Sequence, residues 1–126
     1  MNLLIDTHIL LWWEWKSRDL PDMVRTALDA PENRMAVSAV TIWEISIKRK
    51  TGRLEFDGDA IASCKASNFD LLPITAEHAE LAGTLPLHHT DPFDRMLVAQ
   101  AKVEGLVLLT QDRKLLPYGV PVLGVT

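Results

Sequence analysis

Short continuous apolar runs alternate with segments of helical length along the whole chain, and this alternation restricts the fold more than any other feature. Residues 3–5 and 106–109 are apolar throughout, which is typical of strands buried on both faces of a parallel sheet. Further strand candidates lie at residues 35–37, 71–74 and 120–125. The pattern predicts an α/β fold, a three-layer α/β/α sandwich with a central, mainly parallel sheet.

Chain length and composition predict one folded domain over residues 1–126, with no repeat or linker. The apolar fraction of 48% and the charged fraction of 24% argue against a disordered or fibrous chain. Cys64 is the only cysteine, which excludes an intramolecular disulfide and a thiolate metal cluster. No run of eighteen apolar residues occurs, so we expect a cytoplasmic protein that does not bind a membrane.

The helix that precedes the strand candidate at residues 106–109 has the clearest sequence signals of a helix. Pro92 suits the first turn of a helix, and Phe93, Leu97 and Ala101 recur every four residues as an apolar face. Asp94 therefore lies in the first helical turn, where the helix dipole favours a carboxylate.

Boundary signals for the other helices are weaker. Thr7 and either Ser38 or Thr41 are predicted to cap two earlier helices, and another helix is predicted over residues 57–67. Pro73 predicts an edge position, or an irregular backbone, for the third strand.

Four acidic residues from separate parts of the chain are predicted to meet at one edge of the sheet. Asp6 and Asp112 each follow a β-run, at the strand ends where open α/β sheets bind ligands. Glu44 interrupts an apolar helix after the second strand, and Asp94 begins the helix before the fourth. Each has a simpler explanation, such as a helix cap, a turn, or for Glu44 an ion pair with Lys48. Their common location favours a shared site.

Clustered carboxylates repel one another at neutral pH unless a cation joins them. A set of oxygen ligands suits Mg²⁺, with Mn²⁺ as the usual substitute, and such ions promote phosphodiester hydrolysis by water. The net charge of −4 argues against a broad basic surface but permits a local basic rim. The candidate rim residues are Lys48, Arg49, Lys50, Arg53, Arg95, Arg113 and Lys114.

The chain contains four ordered motifs: IDT at residues 5–7, SAVTIWEI at 38–45, DPFDRMLVAQA at 91–101 and LTQD at 109–112. Together they resemble the motifs of PIN-domain ribonucleases, and in particular the VapC-type toxins of bacterial type II toxin–antitoxin modules. The resemblance implies a Mg²⁺-dependent endoribonuclease acting on RNA. It also implies a cognate antitoxin protein that blocks the site, and a homodimer.

The resemblance assigns four residues to the catalytic and metal site: Asp6, Glu44, Asp94 and Asp112. We expect Asp6 and Asp94 to bind the metal directly and the other two acids to complete the pocket. Asp91 is a neighbouring acid whose part in the site is left open. Thr110 and Ser38 are expected to hydrogen-bond the acids or to position water.

Histidine and tryptophan residues offer further candidate contacts. The histidine pair at residues 88–89 lacks the additional ligands of a zinc site, so we favour a location at the substrate entrance. Trp13 and Trp43 are predicted to pack in the core. Trp12 and Trp15 are candidates for a partner surface.

Other α/β families explain the sequence less well. A receiver module needs a phosphoacceptor aspartate at the end of the third strand, which here reads Pro73-Ile74-Thr75. A haloacid-dehalogenase-like phosphatase needs an aspartate two residues after Asp6, where His8 stands. A catalytically silent RNA-binding or scaffold version of the PIN fold remains the alternative.

Overall fold

The computed structural model describes residues 1–125 and contains a five-stranded sheet in which each strand pairing is parallel. Its strands are β1 (Asn2–Ile5), β2 (Arg34–Ser38), β3 (Asp70–Leu72), β4 (Val107–Leu109) and β5 (Val122–Leu123). They lie in the order β3-β2-β1-β4-β5. The predicted α/β/α sandwich around a parallel sheet is therefore confirmed.

Helices of about two to four turns connect the strands. They are α1 (Thr7–Glu14), α2 (Asp22–Asp29), α3 (Ala39–Lys50), α4 (Ala60–Ala66), α5 (Ala76–Thr84), α6 (Pro92–Glu104) and a 3₁₀ helix (Arg113–Tyr118). Across residues 1–125, each helix is too short or too polar to cross a membrane.

The central strand β1 divides the hydrophobic core into two layers. Leu3 and Ile5 face a cluster that includes residues of α1, α2 and α4, whereas Leu4 faces a cluster built mainly from α6. This follows from the two-residue period of a strand, which sends alternate side chains to opposite faces. Helix α3 contributes to both layers, through Ile45 to the first and Val40 to the second. It therefore lies where the two layers meet.

Several helix and strand limits differ from the predicted ones. Asp6, not Thr7, caps α1, because its carboxylate accepts the His8 N–H. Helix α4 begins only at Ala60, since Asp59 caps it. Strand β5 has two residues instead of six, and the 3₁₀ helix was not predicted. Of the two predicted caps of α3, Ser38 is the one observed, and of the two predicted explanations for Pro73, the edge position of β3 is confirmed.

Candidate functional site

The acidic residues lie near the carboxyl end of β1, where the strand order reverses. Strand β1 pairs with β2 on one side and with β4 on the other, so the connections leaving these strands diverge. Such a divergence opens a crevice in parallel α/β sheets. Asp6 follows β1 directly, and Asp112 follows β4 by three residues.

Asp6 is a buried carboxylate with only 3% of its surface exposed. It accepts a hydrogen bond from the Thr110 hydroxyl and another from the His8 N–H, at 3.3 Å. Burial raises the pKa of Asp6 above its usual value, and the Thr110 hydrogen bond opposes that rise. The fold thus holds this carboxylate in one orientation.

Asp112 is joined to Asp6 through Thr110. The Thr110 Oγ that donates to Asp6 also accepts the Asp112 N–H, at 3.0 Å. One Asp112 carboxylate oxygen accepts the Lys114 N–H at 2.9 Å and so caps the 3₁₀ helix. The turn that was the simpler explanation for Asp112 is therefore present, and its second oxygen, Oδ2, lies 3.0 Å from His89 Nε2.

Asp91 and Asp94 have different roles at the start of α6. Asp91 caps the helix, since its carboxylate accepts the N–H of Phe93 at 2.8 Å and of Asp94 at 3.3 Å. Asp94, one turn later, faces the other acids. Burial, the largest cause, and nearby negative charges together raise the pKa of Asp94 to about 8. The charges are those of Asp6, Asp91, Glu44 and Asp112.

Glu44 lies on the buried face of α3 and is only 4% exposed. One carboxylate oxygen accepts from Lys48 Nζ at 2.6 Å, so the ion pair that was the simpler explanation for Glu44 is present. The other oxygen, Oε1, is buried without a hydrogen-bond partner. A buried oxygen in this state costs free energy unless a donor or a cation meets it.

His89 is the functional residue that sequence reasoning did not place among the acids. Its Nε2 lies 3.1 Å from Asp94 Oδ2 and 3.0 Å from Asp112 Oδ2. One ligand atom from each of these three residues falls within 4.8 Å of the others, a spacing that could hold a metal ion. The available signal was the position of His89 two residues before the α6 cap.

The loop that carries His89 is fastened to α6 and to the 3₁₀ helix. The Tyr118 hydroxyl accepts the His89 N–H at 2.9 Å and donates to the Pro86 carbonyl at 2.8 Å. Arg95 donates to the carbonyls of Leu85 at 2.9 Å and Pro86 at 2.9 Å. The Arg95 guanidinium, a candidate for the basic rim, is thus used to hold the backbone.

Trp43 lies on the surface, so its predicted core position is wrong. Helix α3 buries Val40, Thr41, Glu44 and Ile45, and Trp43 falls outside that stripe with 59% of its surface exposed. Its ring meets Phe93 edge to face, at 5.5 Å between centroids. Trp13, by contrast, packs against the core as predicted.

Thr110 and Ser38, the two residues predicted to hydrogen-bond the acids or to position water, have different hydrogen-bond partners. Thr110 hydrogen-bonds Asp6, as expected. The Ser38 hydroxyl instead accepts the Val40 N–H at 3.0 Å and caps α3. Together the carboxylates offer several oxygen atoms in a partly buried crevice, which is a ligand set for a hard divalent cation.

Comparison with known proteins identifies the family. The PIN domain family model matches residues 3–119. Ribonuclease VapC22 of Mycobacterium tuberculosis is 26% identical over 123 residues, which cover 95% of this chain and 94% of that relative.

Solved structures share the fold. VapBC2 from Rickettsia felis, bound to a DNA fragment from its promoter, aligns with a TM-score of 0.69 and 14% identity over 100% of this chain and 99% of that one. A toxin–antitoxin complex from Klebsiella pneumoniae aligns with a TM-score of 0.68 and 24% identity over 97% of this chain and 96% of that one. With the family model covering nearly the whole sequence, this chain belongs to the PIN domain family.

Proposed function

We propose that this chain is a Mg²⁺-dependent endoribonuclease that acts as the toxin of a toxin–antitoxin pair and cleaves RNA phosphodiester bonds with water. The observation that carries the proposal is the crevice in which the partly buried Asp94 carboxyl lies close enough to four other acids for their charges to raise its pKa: Asp6, Asp91, Glu44 and Asp112. Membership of the PIN domain family and the relative named as a ribonuclease support it.

The residues of the crevice fit a divalent ion. Asp6 and Asp94 are proposed to bind it directly, and Glu44 and Asp112 to complete its surroundings. The buried, unpartnered Glu44 Oε1 supports this assignment, because a cation or a water bound to one would satisfy it. Bound Mg²⁺, or Mn²⁺ in its place, would supply the positive charge that polarises a substrate phosphate and activates water.

The protein's own contribution is to hold the carboxylates in place before substrate arrives. Thr110 orients Asp6, Lys48 orients Glu44, and the Lys114 N–H orients Asp112. Because these contacts form within the fold, little reorganisation is needed during the reaction. Asp91 is proposed to act as the helix cap and not as a ligand.

A cognate antitoxin is the proposed protein partner, and a homodimer the proposed assembly, in the cytoplasm. The solved complexes from Rickettsia felis and Klebsiella pneumoniae support a toxin–antitoxin arrangement. Trp15, at the end of α1, is 47% exposed and Met23, in α2, is 43% exposed. These side chains would be suited to burial against a partner.

RNA cleavage by the purified protein, free of antitoxin, tests the proposal. A pool of structured RNAs is incubated with Mg²⁺, with Mn²⁺ or with chelator, using wild type, Asp94→Asn and the matched control Asp91→Asn. We expect metal-dependent cleavage that falls at least about 100-fold in Asp94→Asn. Asp91→Asn should stay within about threefold of wild type, because asparagine also caps helices well.

The alternative, a catalytically silent RNA-binding or scaffold protein, predicts a different result. Wild type and Asp94→Asn would then bind RNA equally, and any trace cleavage would be the same for both and insensitive to chelator. That outcome would remove the nuclease assignment.

A further inference from the structure

The imidazole of His89 bridges Asp94 and Asp112, with Nε2 at 3.1 Å and 3.0 Å from one oxygen of each. Its side chain is 12% exposed, so the bridge lies inside the crevice. We propose that His89 occupies the cation position of the metal-free site and competes with the divalent ion for Asp94 and Asp112. This inference rests on the proposed function, since it takes those acids to belong to the metal site.

The backbone selects which nitrogen of His89 carries the proton. The Asp91 N–H lies 3.2 Å from Nδ1 and donates to it, which occupies the Nδ1 lone pair. The proton of the neutral ring is therefore on Nε2, the atom that faces the two carboxylates. Nε2 is thus a hydrogen-bond donor and has no lone pair to offer a metal ion.

The surrounding loop keeps the imidazole in this place. The His89 N–H donates to the Tyr118 hydroxyl at 2.9 Å, and the His89 carbonyl accepts from Arg95 at 3.4 Å. Both contacts fix the backbone, whereas the ring itself is held by the Asp91 N–H at Nδ1 and by the acids at Nε2. Rotation of the ring away from the acids gives up these side-chain contacts and leaves the backbone contacts of the loop in place.

An N–H group placed between two acids stabilises their oxygens electrostatically, as a bound cation would, but more weakly. The Nε2–H group presents its partial positive charge to Asp112, to which it hydrogen-bonds, and to the Asp94 oxygen 3.1 Å away. A divalent ion that enters has to break the Nε2 hydrogen bond to Asp112 and displace the ring from Asp94. Removal of the imidazole should therefore strengthen metal binding and weaken the metal-free fold.

Calorimetric titration with Mn²⁺ at one fixed pH tests this competition. The proteins are wild type, His89→Ala, the control His88→Ala and the metal-site variant Asp94→Asn. His88 is exposed and contacts the Tyr118 ring at 5.0 Å between centroids, not the acids. We expect His89→Ala to bind Mn²⁺ about tenfold more tightly than wild type. His88→Ala should stay within twofold of wild type.

Thermal unfolding gives a second comparison on the same proteins. His89→Ala should unfold at a lower temperature than wild type in chelator, and the difference should shrink at saturating Mn²⁺.

NMR of ¹⁵N-labelled wild type, titrated with Mg²⁺, is a third measurement that needs no variant. The ring nitrogens of His89 should keep the chemical-shift pattern of the Nε2-protonated tautomer. The part of their chemical shift that is due to the nearby carboxylates should be lost.

The outcomes separate the two proposals. If His89→Ala binds Mn²⁺ more weakly, or if Mg²⁺ moves the ring proton to Nδ1, His89 is a ligand and the competition is refuted. Equal affinities of His89→Ala and wild type refute it too, while Asp94→Asn still reports the metal site. If folded wild type binds no Mn²⁺ at all, the proposed metal-dependent function fails together with this inference.

Discussion

Thr110 donates its hydroxyl hydrogen to the buried carboxylate of Asp6, although 104 positions separate the two residues in the chain. The parallel pairing of β1 with β4 sets Ile5 beside Leu109. Asp6 and Thr110, which follow these two residues, therefore lie beside each other at the carboxyl edge of the sheet. The same Thr110 oxygen accepts the Asp112 N–H. One hydroxyl therefore fixes two members of the candidate site.

Thr110→Val should damage the site more than the fold. Valine keeps the shape of threonine but leaves Asp6 without its donor, so we expect RNA cleavage to fall about tenfold and the free energy of unfolding to fall by about 1 kcal/mol. Thr41→Val is the matched control, because the buried Thr41 hydroxyl pairs with Thr7 at 3.1 Å and with no acid. It should lose similar stability and keep its activity within threefold. Equal activity losses in the two variants would refute a specific role for Thr110.

The raised pKa of Asp94 predicts how the stability of the metal-free protein depends on pH. The folded state keeps the Asp94 proton up to about pH 8, whereas the unfolded chain releases it near the ordinary value of 3.8. Between these values the unfolded state binds fewer protons, so the stabilising contribution is complete at low pH and is lost as pH rises through about 8.

Urea unfolding in chelator from pH 5 to pH 9 measures this dependence. The free energy of unfolding of wild type should decrease with rising pH relative to Asp94→Asn, which has no carboxyl at this position. Parallel profiles for the two proteins would show that the Asp94 pKa is not raised.

Gly124 is predicted to accept no side chain, because its backbone has φ +115° and passes close to Thr110. A Cβ there would lie 2.5 Å from the Thr110 carbonyl oxygen and 3.2 Å from its carbonyl carbon. We expect Gly124→Ala to reduce the free energy of unfolding by about 2–4 kcal/mol.

Gly83→Ala is the control for that substitution. Gly83 lies within α5, and nothing would come within 4 Å of its added Cβ. Alanine favours a helix over glycine, so this variant should gain about 0.5–1 kcal/mol. Chemical denaturation of both variants checks the pair. A neutral Gly124→Ala would contradict the described approach of this loop to β4.

The parts of the site that could be predicted from sequence are those set by local pattern. Asp6 and Asp112 follow apolar runs, and parallel strands bring their carboxyl ends to one edge. Asp94 could be placed because Pro92 marks the first turn of α6. The position of His89 could not be predicted, because it depends on a loop fastened by Tyr118, a residue 29 positions further along the chain.

Two other errors have physical reasons. Trp43 was assigned to the core by its apolar surface, but α3 instead buries the stripe that contains Glu44, a charged residue. The 3₁₀ helix contains Pro117, which is a loop signal, while its burial depends on Leu115 and Tyr118, three residues apart. In both cases the requirements of the site or of tertiary packing outweighed residue preference.

We predict that the Arg95 guanidinium is needed to hold the loop that carries His89. A positive charge without the guanidinium geometry should not hold this loop. The guanidinium donates to the carbonyls of Ala82, Leu85 and Pro86, all within 3.0 Å, from its two terminal nitrogens. The single ammonium of Arg95→Lys has no such fork, so some carbonyls lose their donors and the free energy of unfolding should fall by about 2 kcal/mol. Lys102→Arg, an exposed exchange on the same helix, should change it by less than about 0.5 kcal/mol. Hydrogen exchange should show faster exchange at residues 85–91 in Arg95→Lys only, and unchanged exchange there would contradict the role of Arg95 in holding this loop.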